Sequence, residues 1–406
     1  MKVGLLRGLR SAKPAFSCMH FFVFPLLAAI SLAGVYVWAV ASLPWCARHK
    51  RAIVAGLAAL LVVAMVTRRI EMAWHVGSTL NTVSVAILLT LAFAGVPLGA
   101  IRAVSWALGR LRRTAPPPAT EPAPVLTRRQ VVEAASGMTL LGATGSMMGW
   151  GIARGRIAFE LNEVPVRIAG LPRALDGYVI AQISDVHTGV NVGARELDEG
   201  LELVRRAKPD LLVVTGDMVD VDASFTPLFA RKLADLAPRD GVFACLGNHD
   251  YYAGADDVVG MLRAAGIRTL VNDGVLLRPG DGGGIALLGV DDVWSSRYHG
   301  PGARLDLARA AVRGDAPRIL LSHQPPSVDR WAGQVALQLS GHTHGGQINP
   351  MGLRAADLFY PYVAGAYQVG GAGGTTLYVN RGFGTVGPPA RICAPPEVTR
   401  FVLVAA

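Results

Sequence analysis

The sequence predicts a layered α/β domain over residues 155–406, preceded by an all-helical transmembrane region. Three features carry this reading. Three long uncharged apolar runs lie within the first 113 residues. After residue 154, short apolar runs alternate with amphipathic stretches, the pattern of strands and helices packed in layers. Polar residues gather just past the predicted strand ends, where open α/β sheets build their sites.

The apolar runs are Phe16 to Cys46, Ala52 to Thr67 and His75 to Ile101. A spanning helix needs about 20 apolar residues, so the first and third suffice and the second is marginal alone. None has a polar face at helical period, which a core helix of a soluble domain would need. Basic residues separate the runs: Arg48, Lys50 and Arg51, then Arg68 and Arg69, then Arg102, Arg110, Arg112 and Arg113. A stiff Pro-rich linker is expected over 114–130, carrying Pro116, Pro117, Pro118, Pro122 and Pro124 and ending near Arg128-Arg129. The weakly apolar segment 131–153 reads either as a fourth span or as a twin-arginine-like export signal.

Composition agrees. The chain is 51% apolar and 17% charged, with mean hydropathy +0.38, which excludes disorder and disfavours a purely soluble protein. The net charge of +10 is unevenly placed: residues 1–154 hold 16 Lys+Arg against 3 Asp+Glu, and residues 155–406 hold 23 against 26. The basic half flanks apolar runs, which suits membrane edges and leaves no groove-reading surface, so nucleic acid is not an expected partner. Cys18, Cys46, Cys245 and Cys393 are scattered without C-x-x-C, so neither a disulfide scaffold nor a thiolate zinc site is expected. With the N-terminus outside, nine basic residues lie in the cytoplasm and eight outside. That topology puts the arginine pair inside and exports residues 155–406 to the periplasmic face of a bacterial cytoplasmic membrane.

In the second half, Tyr178–Ile183, Leu211–Thr215, Val242–Leu246, Ile285–Val290, Ile319–Ser322, Val335–Leu339, Thr375–Val379 and Val398–Val404 read as strands. Ala194–Ala207, Phe225–Leu236, Asp257–Ala265 and Leu305–Val312 read as helices, the first carrying a Leu197, Leu201, Val204 stripe. The Asp281-Gly282-Gly283-Gly284 stretch and the glycines at 370–374 read as turns.

Five strand ends carry chemistry: Asp185-Val186-His187, Gly216-Asp217-Met218-Val219-Asp220, Gly247-Asn248-His249-Asp250, His323, and Gly341-His342-Thr343-His344-Gly345-Gly346. Five of the six histidines after residue 154 lie there; only His299 does not. So many polar groups beside a core need something to satisfy them, and two cations would do so. Imidazole, carboxylate and amide oxygen suit Zn, Mn or Fe. Alternation along an extended segment would send Asp185 and His187 to one ion, and His342 and His344 likewise.

These five blocks, in this order, resemble the calcineurin-like metallophosphoesterases. The Gly-His-Thr-His-Gly-Gly-Gln form, with Asn380-Arg381-Gly382-Phe383-Gly384 further on, resembles their membrane-attached bacterial branch. The resemblance covers roughly residues 160–404. It implies two mixed sheets flanked by helices. It also implies that Asp185, His187 and His344 hold one divalent ion, that Asn248, His323 and His342 hold a second, and that Asp217 bridges both. By the same resemblance His249 lies near the leaving group, Asp250 orients it, Asp220 buttresses its loop, and Arg381 or Arg391 could contact phosphate. The implied activity is hydrolysis of phosphomonoester, phosphodiester or pyrophosphate bonds by a hydroxide bridging the two ions. Because the anchor holds the site at the bilayer, a lipid-linked substrate such as a lipid-A-type precursor fits the branch, although nucleotide-activated precursors are cytoplasmic. The alternative of another class is a non-catalytic membrane scaffold or sensor, which predicts a missing ligand or a missing His249; neither is missing.

Overall fold

Strands covered on both faces are largely apolar, and here they form the interior of two six-stranded sheets. The computed structural model describes residues 16–74, 79–111, 127–280, 283–371 and 373–406. The strands in chain order are β1 (Glu160–Ile168), β2 (Val179–Ile183), β3 (Leu211–Thr215), β4 (Val242–Cys245), β5 (Arg268–Thr269), β6 (Asp273–Gly280), β7 (Gly283–Gly289), β8 (Arg318–Leu321), β9 (Leu337–Ser340), β10 (Gly365–Val369), β11 (Thr375–Val379) and β12 (Glu397–Ala405). One sheet runs β1-β12-β2-β3-β4-β5 and the other β10-β11-β9-β8-β7-β6. Strands β2, β3, β4 and β5 are parallel, as are β7, β8, β9 and β11; β12 against β2, β6 against β7, and β10 against β11 are antiparallel. Both sheets are therefore mixed.

Period-two alternation distributes each strand between two cores. Leu211 and Val213 of β3 join Ile180, Ile319, Leu321, Leu337, Leu339 and Phe401 between the sheets. Leu212 and Val214 point the other way, into the layer formed with the helices. That layer comprises Ala194–Ala207, Thr226–Ala234 and Ala255–Ala264, and Leu197, Leu201 and Val204 are fully buried in it. The predicted stripe is thus the buried face. Leu305–Ala310 covers the far side of the second sheet through Leu305 and Ala308.

The eight strands predicted from sequence all form, with ends shifted by at most two residues. The four that were not predicted are β1, β5, β6 and β10, and these are the four sheet edges. Edge strands are half exposed, so their runs contain charges and prolines: β1 carries Glu160, Glu163, Pro165 and Arg167.

The N-terminal helices are Phe16–Ser42, Pro44–Arg48, Lys50–Trp74, Thr79–Leu111 and Arg128–Ala153. Among the described residues, Lys50–Glu71 and Thr79–Leu111 are long and apolar enough to cross a membrane. Pro116 to Pro124 of the expected linker, and Asp281-Gly282, lie outside the described residues. The chain divides into two compact units, one drawn from Met1–Val66 and Val83–Ser146, the other from Thr67–Thr82 and Met147–Ala406. The first unit packs Val35, Trp38, Ala94 and Leu98 together and buries the Glu133 carboxylate against Arg129 (2.7 Å) and Arg102 (3.5 Å).

Candidate metal centre

The loops that leave β2, β3, β4, β8 and β9 at their carboxyl ends bring all five motif blocks together. Asp185, His187, Asp217, Asn248, Asp250, His323 and His344 are buried there, and His249 and His342 are half-buried. Asp185, His187, Asp217, His342 and His344 all adopt positive φ, between 49° and 71°. For residues with a Cβ each such conformation costs about 1–3 kcal/mol, and it persists only where the surroundings enforce it. The Asp-x-His and His-x-His pairs are therefore not extended segments, as alternation had suggested. Asp185 and His187 do share one group of ligand atoms, with His344, whereas His342 falls in a different group from His344, so the His-x-His pair does not meet at one ion as alternation had suggested.

Backbone hydrogen bonds between loops enforce these conformations. Asp185 N–H donates to the Gly216 carbonyl (3.0 Å), and His187 N–H to the Asp217 carbonyl (3.0 Å). His342 N–H donates to both carboxylate oxygens of Asp185 (2.9 Å each). Two flanking glycines make room for the acids. A Cβ on Gly341 would overlap the Asp185 carboxylate, and one on Gly247 would overlap that of Asp217.

The ligand atoms fall into three groups: Asp185, His187 and His344; His187, Asp217 and His249; and Asp217, His323 and His342. Within each, the atoms lie no more than 4.8 Å apart. His187 Nε2 is 3.0 Å from His344 Nε2, and His342 Nδ1 is 3.2 Å from His323 Nε2. His323 Nδ1–H donates to the Thr215 carbonyl (2.8 Å), which turns Nε2 toward Asp217 Oδ2 at 3.2 Å. The buried Asn248 Oδ1 has no hydrogen-bond partner. A buried acceptor left without a partner is what a divalent cation would satisfy, and the nitrogen and oxygen atoms of the three groups fit one.

Charge is balanced within the cluster. Burial would raise Asp217, but the His323 imidazolium beside it holds its carboxyl well below the usual range. Asp217 in turn raises His323 against burial. Burial, reinforced by His323, pushes His342 down to about 3. Burial also lowers His344, helped by His187. Asp185 is raised by burial. A proton on His323 would thus occupy the electrostatic role that a cation takes over on binding.

Three expected roles need revision. Asp250 does not face the His249 ring. Its carboxylate accepts the backbone N–H groups of Asp217, Met218 and Gly247, each at 2.9 Å, and so fixes the Asp217 turn. The carboxylate beside His249 is Asp220, whose Oδ1 lies 3.1 Å from His249 Nδ1 and 3.5 Å from His187 Nδ1. His249 Nδ1–H also donates to the Asp220 carbonyl (2.8 Å). Burial opposes protonation of His249, yet Asp220 raises it to about 9. Neither arginine is directed at a phosphate. Arg381 pairs with Glu397 (2.7 Å) and Glu160 (2.8 Å). Arg391 is 1% exposed, donates to the carbonyls of Gly384, Arg381 and Ala394, and reaches His344 Nδ1 at 3.3 Å.

Sequence reading also passed over the aromatic surround. Tyr252 lies 4.9 Å from the His249 ring, and Trp294 and Tyr360 stand edge-on to His342 at 5.3 and 6.0 Å. Tyr251-Tyr252 directly follows the Asn-His-Asp block, and that adjacency was the available clue.

Comparison with known proteins gives a consistent result. The family described as calcineurin-like phosphoesterase matches residues 178–346. A bovine protein named "Transmembrane protein with metallophosphoesterase domain" is 35% identical over 60% of this chain and 56% of its own length. An uncharacterized metallophosphoesterase of Aquifex aeolicus is 35% identical over 59% of this chain and 89% of its own length. The uncharacterized metallophosphoesterase YkuE of Bacillus subtilis is 33% identical over 68% and 98% respectively. The match spans little more than half of the bovine relative.

Because a Cβ on Gly341 would overlap Ser184 and the Asp185 carboxylate, the Gly341→Ala variant should lose bound metal while Gly260→Ala, in open space, keeps it. Overpacking of this kind costs about 1–3 kcal/mol. Metal content of the purified variants, read by mass spectrometry beside their melting temperatures, checks this.

Proposed function

The chain belongs to the calcineurin-like metallophosphoesterases, and from that premise we propose that it is a membrane-anchored hydrolase of phosphoesters that works with two divalent metal ions. The observation that carries this reading is the buried cluster itself, with its overlapping ligand groups and the unpartnered Asn248 Oδ1. Asp185, His187 and His344 would hold one ion, Asn248, His323 and His342 the other, and Asp217 both. Bound there, Mn, Zn or Fe would neutralise phosphoryl oxygens and lower the pKa of water enough to supply a hydroxide nucleophile at neutral pH.

The chain's own groups do the rest. Asp250 holds the Asp217 turn by three backbone hydrogen bonds, so the shared carboxylate cannot swing away. Asp220 engages His249 Nδ1, which leaves Nε2 to give a proton to the departing oxygen. Such proton transfer is worth roughly 10²–10⁴-fold. Arg391 and the turn at Phe383-Gly384 keep the β2 loop pressed onto the cluster: Phe383 N–H donates to the Ser184 carbonyl (2.7 Å) and Gly384 N–H to the Asp185 carbonyl (2.8 Å). The substrate would be a phosphomonoester, phosphodiester or pyrophosphate, with a lipid-linked one favoured by anchoring. The chain would cross a bacterial cytoplasmic membrane several times and present residues 155–406 on the outer face.

Three outcomes test this reading. His249→Ala should keep its metal yet lose about 10²–10⁴-fold in turnover of p-nitrophenyl phosphate or bis(p-nitrophenyl) phosphate; unchanged turnover would remove the proton-donor role. Asp217→Asn should lose metal stoichiometry itself, measured on purified protein, and native occupancy would contradict the bridge. For orientation, alkaline phosphatase fused after residue 160 should be active in cells, and an inactive fusion would place the site in the cytoplasm.

A further inference from the structure

We infer that the two rims flanking the metal cluster form a lipid-contacting surface. Between residues 155 and 406, the large apolar side chains that stand exposed among the described residues are Tyr252, Tyr298, Leu307, Met351, Leu353 and Leu358. Five of these six lie on three segments that form two rims beside the cluster; only Leu307 lies elsewhere. Scattered exposed apolar residues need no explanation, but a concentration at one edge of one site does.

The first rim is the segment from Pro350 to Tyr360. Its ends are tied down: Asn349 Nδ2 donates to the Gly345 carbonyl (2.9 Å), Asn349 N–H donates to the Ile392 carbonyl (2.9 Å), and Tyr360 stands beside His342. Its middle is turned outward. Met351 is 86% exposed, Leu353 68% and Leu358 80%. Met351 and Gly352 both take positive φ, 55° and 77°, in the tight turn that carries the Met351 side chain. The second rim carries Tyr252, against the His249 ring, and Tyr298, 5.2 Å from Tyr252. Each rim also bears an exposed arginine: Arg354, paired with Asp357, and Arg297, set over the Trp294 ring. Leucine, methionine and tyrosine beside arginines are the residues that settle at the boundary of headgroups and acyl chains, the long arginine stems reaching back to the polar layer.

A bilayer is the occupant because the same chain carries two helices of membrane-spanning length, and tethering keeps a lipid surface at high effective concentration around the rest of the chain. The inference rests on the membrane anchoring proposed above. Its consequence is that a phosphoester would meet the cluster at headgroup level.

The test uses the full chain with Cys18→Ser and Cys393→Ser, which leaves only the buried Cys46 and Cys245, carrying one added cysteine labelled with the environment-sensitive dye NBD, at Met351→Cys, Leu353→Cys or, as the control, Leu307→Cys. Each protein is reconstituted into vesicles of phosphatidylcholine and phosphatidylglycerol. The labels at 351 and 353 should emit to the blue and be quenched several-fold more by brominated phosphatidylcholine than the label at 307. Protein that floats with the vesicles while labels 351 and 353 match label 307 overturns the inference and leaves the anchoring intact. Protein that fails to float overturns both. A blue shift that follows protein density but ignores brominated lipid also overturns it, in favour of a contact between copies of the chain.

Discussion

One buried carboxylate organises the second half of this chain. Asp217 accepts the His249 backbone N–H (2.8 Å), pairs with His323 (3.2 Å) and lies 3.7 Å from His187. An isolated ionised carboxyl at 2% exposure would be prohibitively unstable. It is tolerated because His323 of the β8 loop lies against it, and because Asp250 fixes the turn on which it stands. The dependence runs both ways: Asp217, with Asp185 and Asp292 behind it, raises His323 against burial. The cluster is thus a set of groups that are unfavourable singly and acceptable together, and such a set readily exchanges protons for cations.

The surrounding backbone is arranged to keep that set from relaxing. Five ligand-bearing residues hold left-handed conformations that they would leave if the loops parted. Glycines at 247 and 341 let two chain segments approach the acids more closely than any Cβ would permit. The C-terminal turn then closes from the other side. Arg391, buried without a carboxylate partner, spends its donors on three backbone carbonyls and reaches His344. A buried guanidinium is costly unless its donors are met, so this one ties the position of the turn to the position of the cluster.

Beyond the cluster, the chemistry of the rims differs from that of the centre. Met351, Leu353 and Leu358 stand exposed at one rim beside Arg354, and Tyr298 stands exposed at the other beside Arg297. Apolar residues exposed at the lip match a chain that also holds two helices of membrane-spanning length. Hydrolytic chemistry and attachment would then be features of one surface rather than of two separate parts.

How far residues alone can be read is clear from which elements escaped. Every interior strand was legible, because a strand covered on both faces is largely apolar, and that is a property of composition. All four edge strands were missed, since a half-exposed strand such as β1 mixes Glu and Arg with valines and resembles a loop. The candidate site was legible in the same way: metal-ligand chemistry demands particular residue types, and five blocks of them stand in order. What pairs with what was not legible. That Asp220 rather than Asp250 meets His249, that Arg381 and Arg391 are occupied internally, and that Asp185 and His187 converge through left-handed backbone rather than by alternation were decided by folding. Several of these contacts join distant stretches of chain, Asp220 with His249 across 29 residues and Arg381 with Glu160 across 221. Residue type sets which groups are able to bind or pair, but only the packed chain sets the distances that choose among them.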